Sequence, residues 1–288
     1  SISKELNRSL YIDDETAFSS KKNVSKFGLN LFNITSPAAP DSLKFKSLSG
    51  YFKRKLLIKT DFLRLKKKFY IEKKDMNKIT NYSNYYKNLR FDNNLFLEGH
   101  FESEKYFQNY ADEIKNEFKL KNQDILKKNP YFNEINKQNS VSICLRQNRF
   151  IEGKGQNTSL NKQKSWSFTL EQINYIKKSV DFIKSKISNP TFFLWSNDFS
   201  NIDKKDFNFN YEKIKLNNNE NALDKRVQSL FLLTQCNHFI VTTSTFNWWG
   251  AWLSNNYNKL IFRPSEKFFS EFRINNKDFW PSDWIKIS

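Results

Sequence analysis

Short continuous apolar runs alternate with helix-spaced apolar residues through the second half of this chain. The runs are 141–145 (Val-Ser-Ile-Cys-Leu), 192–195 (Phe-Phe-Leu-Trp), 239–242 (Phe-Ile-Val-Thr) and 260–262 (Leu-Ile-Phe), the last closed by Pro264. Between them Leu170, Ile173, Ile176, Val180 and Ile183 recur at the helical period, opened by Thr169 with Gln172 three residues on, a capping-box pattern. A second helix is expected from Arg226 to about Gln235. Apolar strands alternating with amphipathic helices predict an α/β fold built on a parallel, doubly wound sheet.

The first half is less regular. Leu10-Tyr11-Ile12 and Leu95-Phe96-Leu97 read as short strands, and Phe107, Ile114 and Phe118 as one helix face. The Lys-rich stretch 53–90 has apolar residues at mixed spacing and reads as a solvated face, while 36–42 and 147–168 read as loops. Pro130 and the polar run 133–140 mark a boundary. The expected domains are 1–135, 136–265, and a segment 266–288 that packs back on them.

Composition narrows the chemistry only in part. The 288 residues carry a net charge of +18, from 48 Lys+Arg against 30 Asp+Glu, spread from end to end. Such a field attracts anionic substrates, membranes or nucleic acid without choosing among them. Richness in Lys, Asn, Ile and Phe also matches A/T-rich codons. Cys144 and Cys236 sit in apolar patterns and read as small core residues. With only His100 and His238, a multi-histidine metal site is excluded. No apolar run approaches the ~20 residues of a membrane span, and no stretch reads as a secretory leader.

Three strand ends then offer chemistry to one ligand, since open α/β sheets bind beyond the carboxyl ends of their strands. The first run ends at Arg146-Gln147-Asn148-Arg149, the second at Ser196-Asn197-Asp198, the third at Thr243-Ser244-Thr245. Guanidinium, carboxylate and hydroxyl groups together suit a nucleotide diphosphate. Each also has a plain structural reading: Arg146 as a surface ion pair, Asp198 as a turn residue, and the hydroxyls as an ordinary helix cap. The third end continues into Phe246-Asn247-Trp248-Trp249-Gly250-Ala251-Trp252-Leu253, whose indoles read as core.

The last run resembles a motif of the α-1,2-fucosyltransferase family, S-N-S-S-F-S-W-W-G-A-W-L, rendered here as Thr242 to Leu253. The family's G-Y-x-Q-S-x-K-Y-F corresponds to Gly99–Phe107, its S-x-D to Ser196-Asn197-Asp198, and its closing pattern to Phe279-Trp280-Pro281-Ser282-Asp283-Trp284. The resemblance implies a GT-B-like fold, two Rossmann-type domains facing across a cleft, with the N-terminal one lacking its first strand. It implies an enzyme that transfers L-fucose from GDP-fucose to the 2-hydroxyl of a galactoside in a surface glycan, with inversion and without a metal or cofactor. Arg146 is then the expected catalytic residue, stabilising charge on the departing phosphate. Arg146, Asn148, Ser196, Asp198, Ser244, Thr245 and Phe246 form the expected donor-binding set, with Ser244 and Thr245 on phosphate and Asp198 on guanine. Partners are a GDP-sugar and a galactoside glycan or glycolipid, with peripheral association to an anionic membrane and no nucleic acid. The expected setting is bacterial cytoplasm or the inner face of the inner membrane.

Two departures qualify the resemblance. The family's H-x-R-R-G-D-Y stands here as Cys144-Leu145-Arg146-Gln147-Asn148-Arg149-Phe150, which keeps only the first Arg of the central polar residues. A Gly-rich turn expected ahead of Ser1 is absent, so the chain as given is expected to be crippled and a longer form active. The general base is unassigned: Glu102 and Glu152 lie near motif segments, but carboxylates there are commonly solvated. The alternatives are a degenerate sugar-nucleotide-binding protein and a basic nucleic-acid-binding protein.

Overall fold

The alternating runs of the second half become one fully parallel sheet. The structure, a computed structural model, describes residues 1–16, 27–72, 82–121, 123–137, 139–152, 155–216, 224–268 and 278–288. Parts of the Lys-rich stretch (73–81), of the 147–168 segment (153–154) and of the C-terminal segment (269–277) lie outside the described residues.

The chain divides into two units, Ser1–Lys121 and Asn122–Ser288. In the first, α1 (Ile2–Glu5) and α2 (Leu48–Thr60) precede β1 (Lys67–Ile71) and β2 (Phe91–Glu98), followed by α3 (Ala111–Glu117). β1 and β2 pair in parallel, with a register irregularity between Lys67 and Phe69. The expected strand at Leu10–Ile12 is only an isolated bridge from Ile12 to Ala38. The Gly99–Phe101 turn beyond β2 closes on buried Glu72, which accepts the N–H groups of His100 (2.7 Å) and Phe101 (2.8 Å). A Cβ on Gly99 would lie 2.5 Å from Glu72 Cβ, so this turn requires glycine.

The second unit runs α4 (Gln123–Lys127), α5 (Pro130–Ile135), β3 (Ser140–Leu145), α6 (Ser159–Lys184), β4 (Thr191–Ser196), β5 (Glu212–Lys213), α7 (Lys225–Gln235), β6 (His238–Ile240), α8 (Thr245–Leu253), β7 (Ile261–Pro264) and β8 (Ile285–Ile287). Strand order is β5-β4-β3-β6-β7-β8, every pair parallel. The unit begins ahead of the expected 135/136 division because α5 packs within it. Pro130 opens that helix, the Phe132 ring stacks on Phe231 (centroids 5.8 Å apart), and the Tyr131 hydroxyl donates to the Lys213 carbonyl (3.4 Å).

Side chains alternate across each strand. Val141, Ile143, Leu145, Phe192 and Leu194 join Ile173, Ile176, Val180 and Ile183 of α6 in one buried cluster. Ser142, Cys144, Phe193 and Phe239 point the other way and are also buried. Burial on both faces explains why the strands read as continuous apolar runs. Both cysteines are free and buried, and burial pushes their thiols up.

α6 corrects an expectation. It starts at Ser159 rather than Thr169, with Thr158 as the cap, its hydroxyl accepting the Asn161 N–H (3.2 Å). Leu160 and Trp166 in its first turns are exposed, so no apolar periodicity announces them. Thr169 sits buried inside the helix and donates to the Ser165 carbonyl (3.0 Å), and Gln172 points elsewhere. Among the described residues no helix is long and apolar enough to cross a membrane.

Candidate functional site

Register brings the strand ends to one edge of the sheet. Leu145 pairs with Ser196, Ile143 with Ile240, and Ile240 with Phe262. Arg146, Asn197-Asp198, Thr243-Ser244 and Ser265 therefore leave neighbouring strands at the same end, where ligands of open α/β sheets sit.

The β3 end is tightly held. Gln172 of α6 is fully buried; its Oε1 accepts the Arg146 N–H (3.0 Å) and its Nε2 donates to the Arg146 carbonyl (2.8 Å). One amide thus fixes both backbone groups of Arg146. Asn197 does the same for Gln147, accepting its N–H (2.8 Å) and donating to its carbonyl (3.1 Å). Asn148 follows in the left-handed region (φ 60°), a conformation Asn tolerates, and donates Nδ2 to Asp198 Oδ2 (3.0 Å).

Asp198 is thereby a strongly occupied acceptor. Its Oδ1 also takes the Ser200 N–H (2.9 Å) and the Ser200 hydroxyl (2.7 Å). The Ser200 backbone bond, then its hydroxyl, then Asn148 hold the Asp198 carboxyl below the ordinary carboxylate range. The Ser196 hydroxyl donates to the Asp198 carbonyl (2.6 Å). Of the expected donor-binding residues, Asn148, Ser196 and Asp198 are thus joined to one another.

Arg146 turns its guanidinium to Glu152, whose two oxygens lie 2.7 and 2.6 Å from one terminal nitrogen. Its Nε is buried with no hydrogen-bond partner among the described residues. The pair is about two-fifths exposed, so in water it contributes little to stability and yields readily to a competing anion.

The β6 end is built differently. Val241 and Thr242 continue the strand into the core, and the Thr242 hydroxyl accepts Asn247 Nδ2 (2.9 Å), tying strand to helix. Ser244 is the N-cap of α8, yet its side chain makes no capping bond. The first intrahelical bond runs from the Trp248 N–H to the Ser244 carbonyl (3.0 Å), so the N–H groups of Thr245, Phe246 and Asn247 have no acceptor in the preceding turn. Thr245 and Phe246 are exposed. Among the described residues the Thr243 hydroxyl is buried without a partner, and so is that of Ser265, 3% exposed at the end of β7.

Behind this end the indoles anchor α8. Trp248 donates Nε1 to the Phe279 carbonyl (2.9 Å), stacks on Trp252 and meets Trp284 at a tilt, while Trp280 joins Trp284. A Cβ on Gly250 would fall 2.0 Å from Leu233 Cδ2, so glycine lets α8 lie directly on α7. Lys259 closes the far end, donating to the carbonyls of Ala251 (2.8 Å) and Ser254 (2.7 Å).

The sequence model of glycosyl transferase family 11 matches residues 46–288, which include all of these strand ends. The chain belongs to glycosyl transferase family 11. It is similar to an alpha-1,2-colitosyltransferase of Escherichia coli, 24% identical over 191 residues that cover 66% of this chain and 61% of that protein. The O-antigen biosynthesis glycosyltransferase WbnK of Escherichia coli is 24% identical over 302 residues, covering 97% of this chain and 91% of its own. The match thus spans less than two thirds of the first relative's length. No solved structure matches.

In this family 11 chain, Gln172 and Ser265 are absent from the site residues expected from the sequence, and Thr243, named at the third strand end, is absent from the expected donor-binding set. Gln172 was assigned to a helix cap, and a polar residue on a buried helix face is the signal that it serves something else. Ser265 directly follows the strand run that Pro264 closes, the same place relative to its strand as the other three ends. Among the described residues no group of three or more His, Cys, Asp or Glu is placed to hold a metal ion.

Proposed function

We propose that this glycosyltransferase moves L-fucose from GDP-fucose to the 2-hydroxyl of a galactoside in a surface glycan, inverting the anomeric centre without a metal. In this reading the fold is GT-B-like, and the second unit is its nucleotide-sugar half. The observation that carries it is the row of donors at adjacent strand ends with no partner among the described residues: Arg146 Nε, the Thr243 and Ser265 hydroxyls, and the α8 N-terminus, where the Ser244 side chain makes no capping bond. These are the groups a diphosphate needs, a cation and fixed dipoles converging from a rigid sheet.

The chemistry follows from that arrangement. As the sugar–phosphate bond breaks, charge gathers on the departing diphosphate. Arg146 exchanges Glu152 for that charge, and Ser244, Thr245 and the first α8 N–H groups receive phosphate oxygens. Phe246, exposed at the helix start, faces the same ligand. Asp198, supported by Asn148 and Ser196, is the guanine contact in this reading. The acceptor hydroxyl attacks the anomeric carbon from the opposite side, and its proton passes to a base not yet assigned.

A colitose donor is the second reading, favoured by the colitosyltransferase relative. Colitose differs from fucose in lacking the 3-hydroxyl, so one pocket shape serves both. The reading further has the protein peripheral on an anionic membrane where lipid-borne glycans are assembled. Incubation with GDP-fucose or GDP-colitose and a β-galactoside, with product linkage read by NMR, tests it. An α-1,2-linked product is expected. Neither transfer nor donor hydrolysis with either donor would favour a degenerate binding module, whereas release of free sugar would eliminate that alternative.

A further inference from the structure

The first unit leaves a row of large apolar side chains in water. From α2 through the helical turn at Asp61–Leu63 to the start of β1, Leu48, Phe52, Leu56, Phe62, Leu63 and Leu65 are each 60–94% exposed. Leu48, Phe52 and Leu56 stand at i, i+4 and i+8, a single stripe down the helix. They are not the face that α2 turns to the protein. That face is Gly50, Arg54, Leu57 and Ile58, all partly buried, with Arg54 Nε donating to Glu98 (2.8 Å). Single exposed leucines are ordinary, but a contiguous row marks a surface that meets something.

Charge says what that partner is. Between Leu48 and Lys68 there are eight Lys/Arg and one acid, Asp61. Asp61 is buried, its carboxylate accepting the N–H groups of Lys68 (2.9 Å) and Phe69 (3.3 Å), so it offers little negative charge outward. Lys53, Lys55, Lys59, Arg64 and Lys66 are exposed among the apolar residues. The Lys55 ammonium lies 4.7 Å from the Tyr51 ring centre, and that ring meets Phe52 edge-on.

We propose that this stretch seats the protein on an anionic phospholipid surface. The apolar row enters the boundary between headgroups and acyl chains, while the cations around it meet lipid phosphates. A second copy of the chain would set these cations against their own kind, which opposes a symmetric dimer here. Single-stranded nucleic acid would use the cations but leave four leucines with nothing to stack on. The assignment rests on no part of the donor chemistry, so it stands or falls separately from it.

Vesicle co-sedimentation of the full chain tests it, with equimolar phosphatidylglycerol and phosphatidylcholine against phosphatidylcholine alone. Binding is expected on the anionic vesicles, roughly tenfold or more weaker on the neutral ones, and reduced by salt. The variant Phe52→Ser/Leu56→Ser/Phe62→Ser/Leu63→Ser should lose about tenfold or more of that binding with its melting temperature kept, since all four side chains are exposed. Lys53→Gln/Lys55→Gln/Lys59→Gln/Lys66→Gln should lose binding to anionic vesicles alone. Unchanged binding by the Ser variant would overturn the proposal in favour of diffuse charge attraction. No vesicle binding, together with a wild-type dimer that the Ser variant abolishes, would overturn it in favour of a second copy.

Discussion

At the ends of β3 and β4 the polar side chains are engaged with one another, whereas at the ends of β6 and β7 they are left over. Gln172 and Asn197 each saturate one residue's backbone, and the Asp198 carboxylate accepts three hydrogen bonds. Among the described residues Thr243 and Ser265 keep buried hydroxyls without partners, and the Ser244 side chain makes no capping bond. Leaving a buried hydroxyl unsatisfied costs about 1–3 kcal/mol. The closed ends therefore shape the loops and hold Arg146 in place; the open ends are where a ligand has most to gain.

The comparison can be broken in several places. The largest effect is expected from Trp248→Ala, behind the open end. Deleting this buried indole and its bond to Phe279 should cost about 3–5 kcal/mol in urea unfolding. A loss under ~1 kcal/mol would mean that α8 is not held by its indoles. Next comes Arg146→Ala, which should lower kcat by about 10²–10³-fold while the protein stays folded. If Arg146 is only a surface partner of Glu152, turnover will not change.

The closed ends should respond in stability. Asn197→Ala strands the N–H and carbonyl of Gln147 and should cost about 1–3 kcal/mol, read as a fall in melting temperature. At the open ends the direction reverses. Thr243→Val and Ser244→Ala should weaken GDP-sugar binding by roughly tenfold to a hundredfold each, the worth of one hydrogen bond to a charged phosphate, with melting temperature unchanged or raised. Equal responses at both ends would erase the distinction.

The smallest effect is a pH dependence. His238 is buried on β6, burial lowers its pKa, and its Nδ1 accepts the Leu260 N–H (3.1 Å). Because the folded pKa lies below the ordinary value of about 6.5, the unfolded chain takes the proton first as pH falls. That contribution is complete above pH ~6.5 and declines below it. His238→Asn, which keeps an acceptor for Leu260, should flatten this part of the pH–stability curve.

Much of the second unit was legible because strands buried on both faces show as continuous apolar runs. The three strand ends followed from those runs alone. What could not be read has local causes. α6 extends eleven residues ahead of Leu170, where its apolar pattern starts, because Leu160 and Trp166 face water. β5 and β8 are two and three residues long, too short to show a period. The Arg146–Glu152 pair and the Gln172 clamp depend on loop conformation and helix rotation, which spacing does not encode. In the first unit the mixed spacing of 53–68 had a physical cause: α2 is apolar on its protein side and also on its outer stripe.

The central claim is that the open strand ends, with Arg146, form the diphosphate site of a GDP-sugar donor. It is tested most directly by thermal shift with GDP-fucose on wild type and Arg146→Ala side by side. Donor at a hundred times its dissociation constant should stabilise the wild type by about 2.7 kcal/mol, several degrees, and the variant far less. No shift with any GDP-sugar, or an equal shift in both proteins, would contradict it.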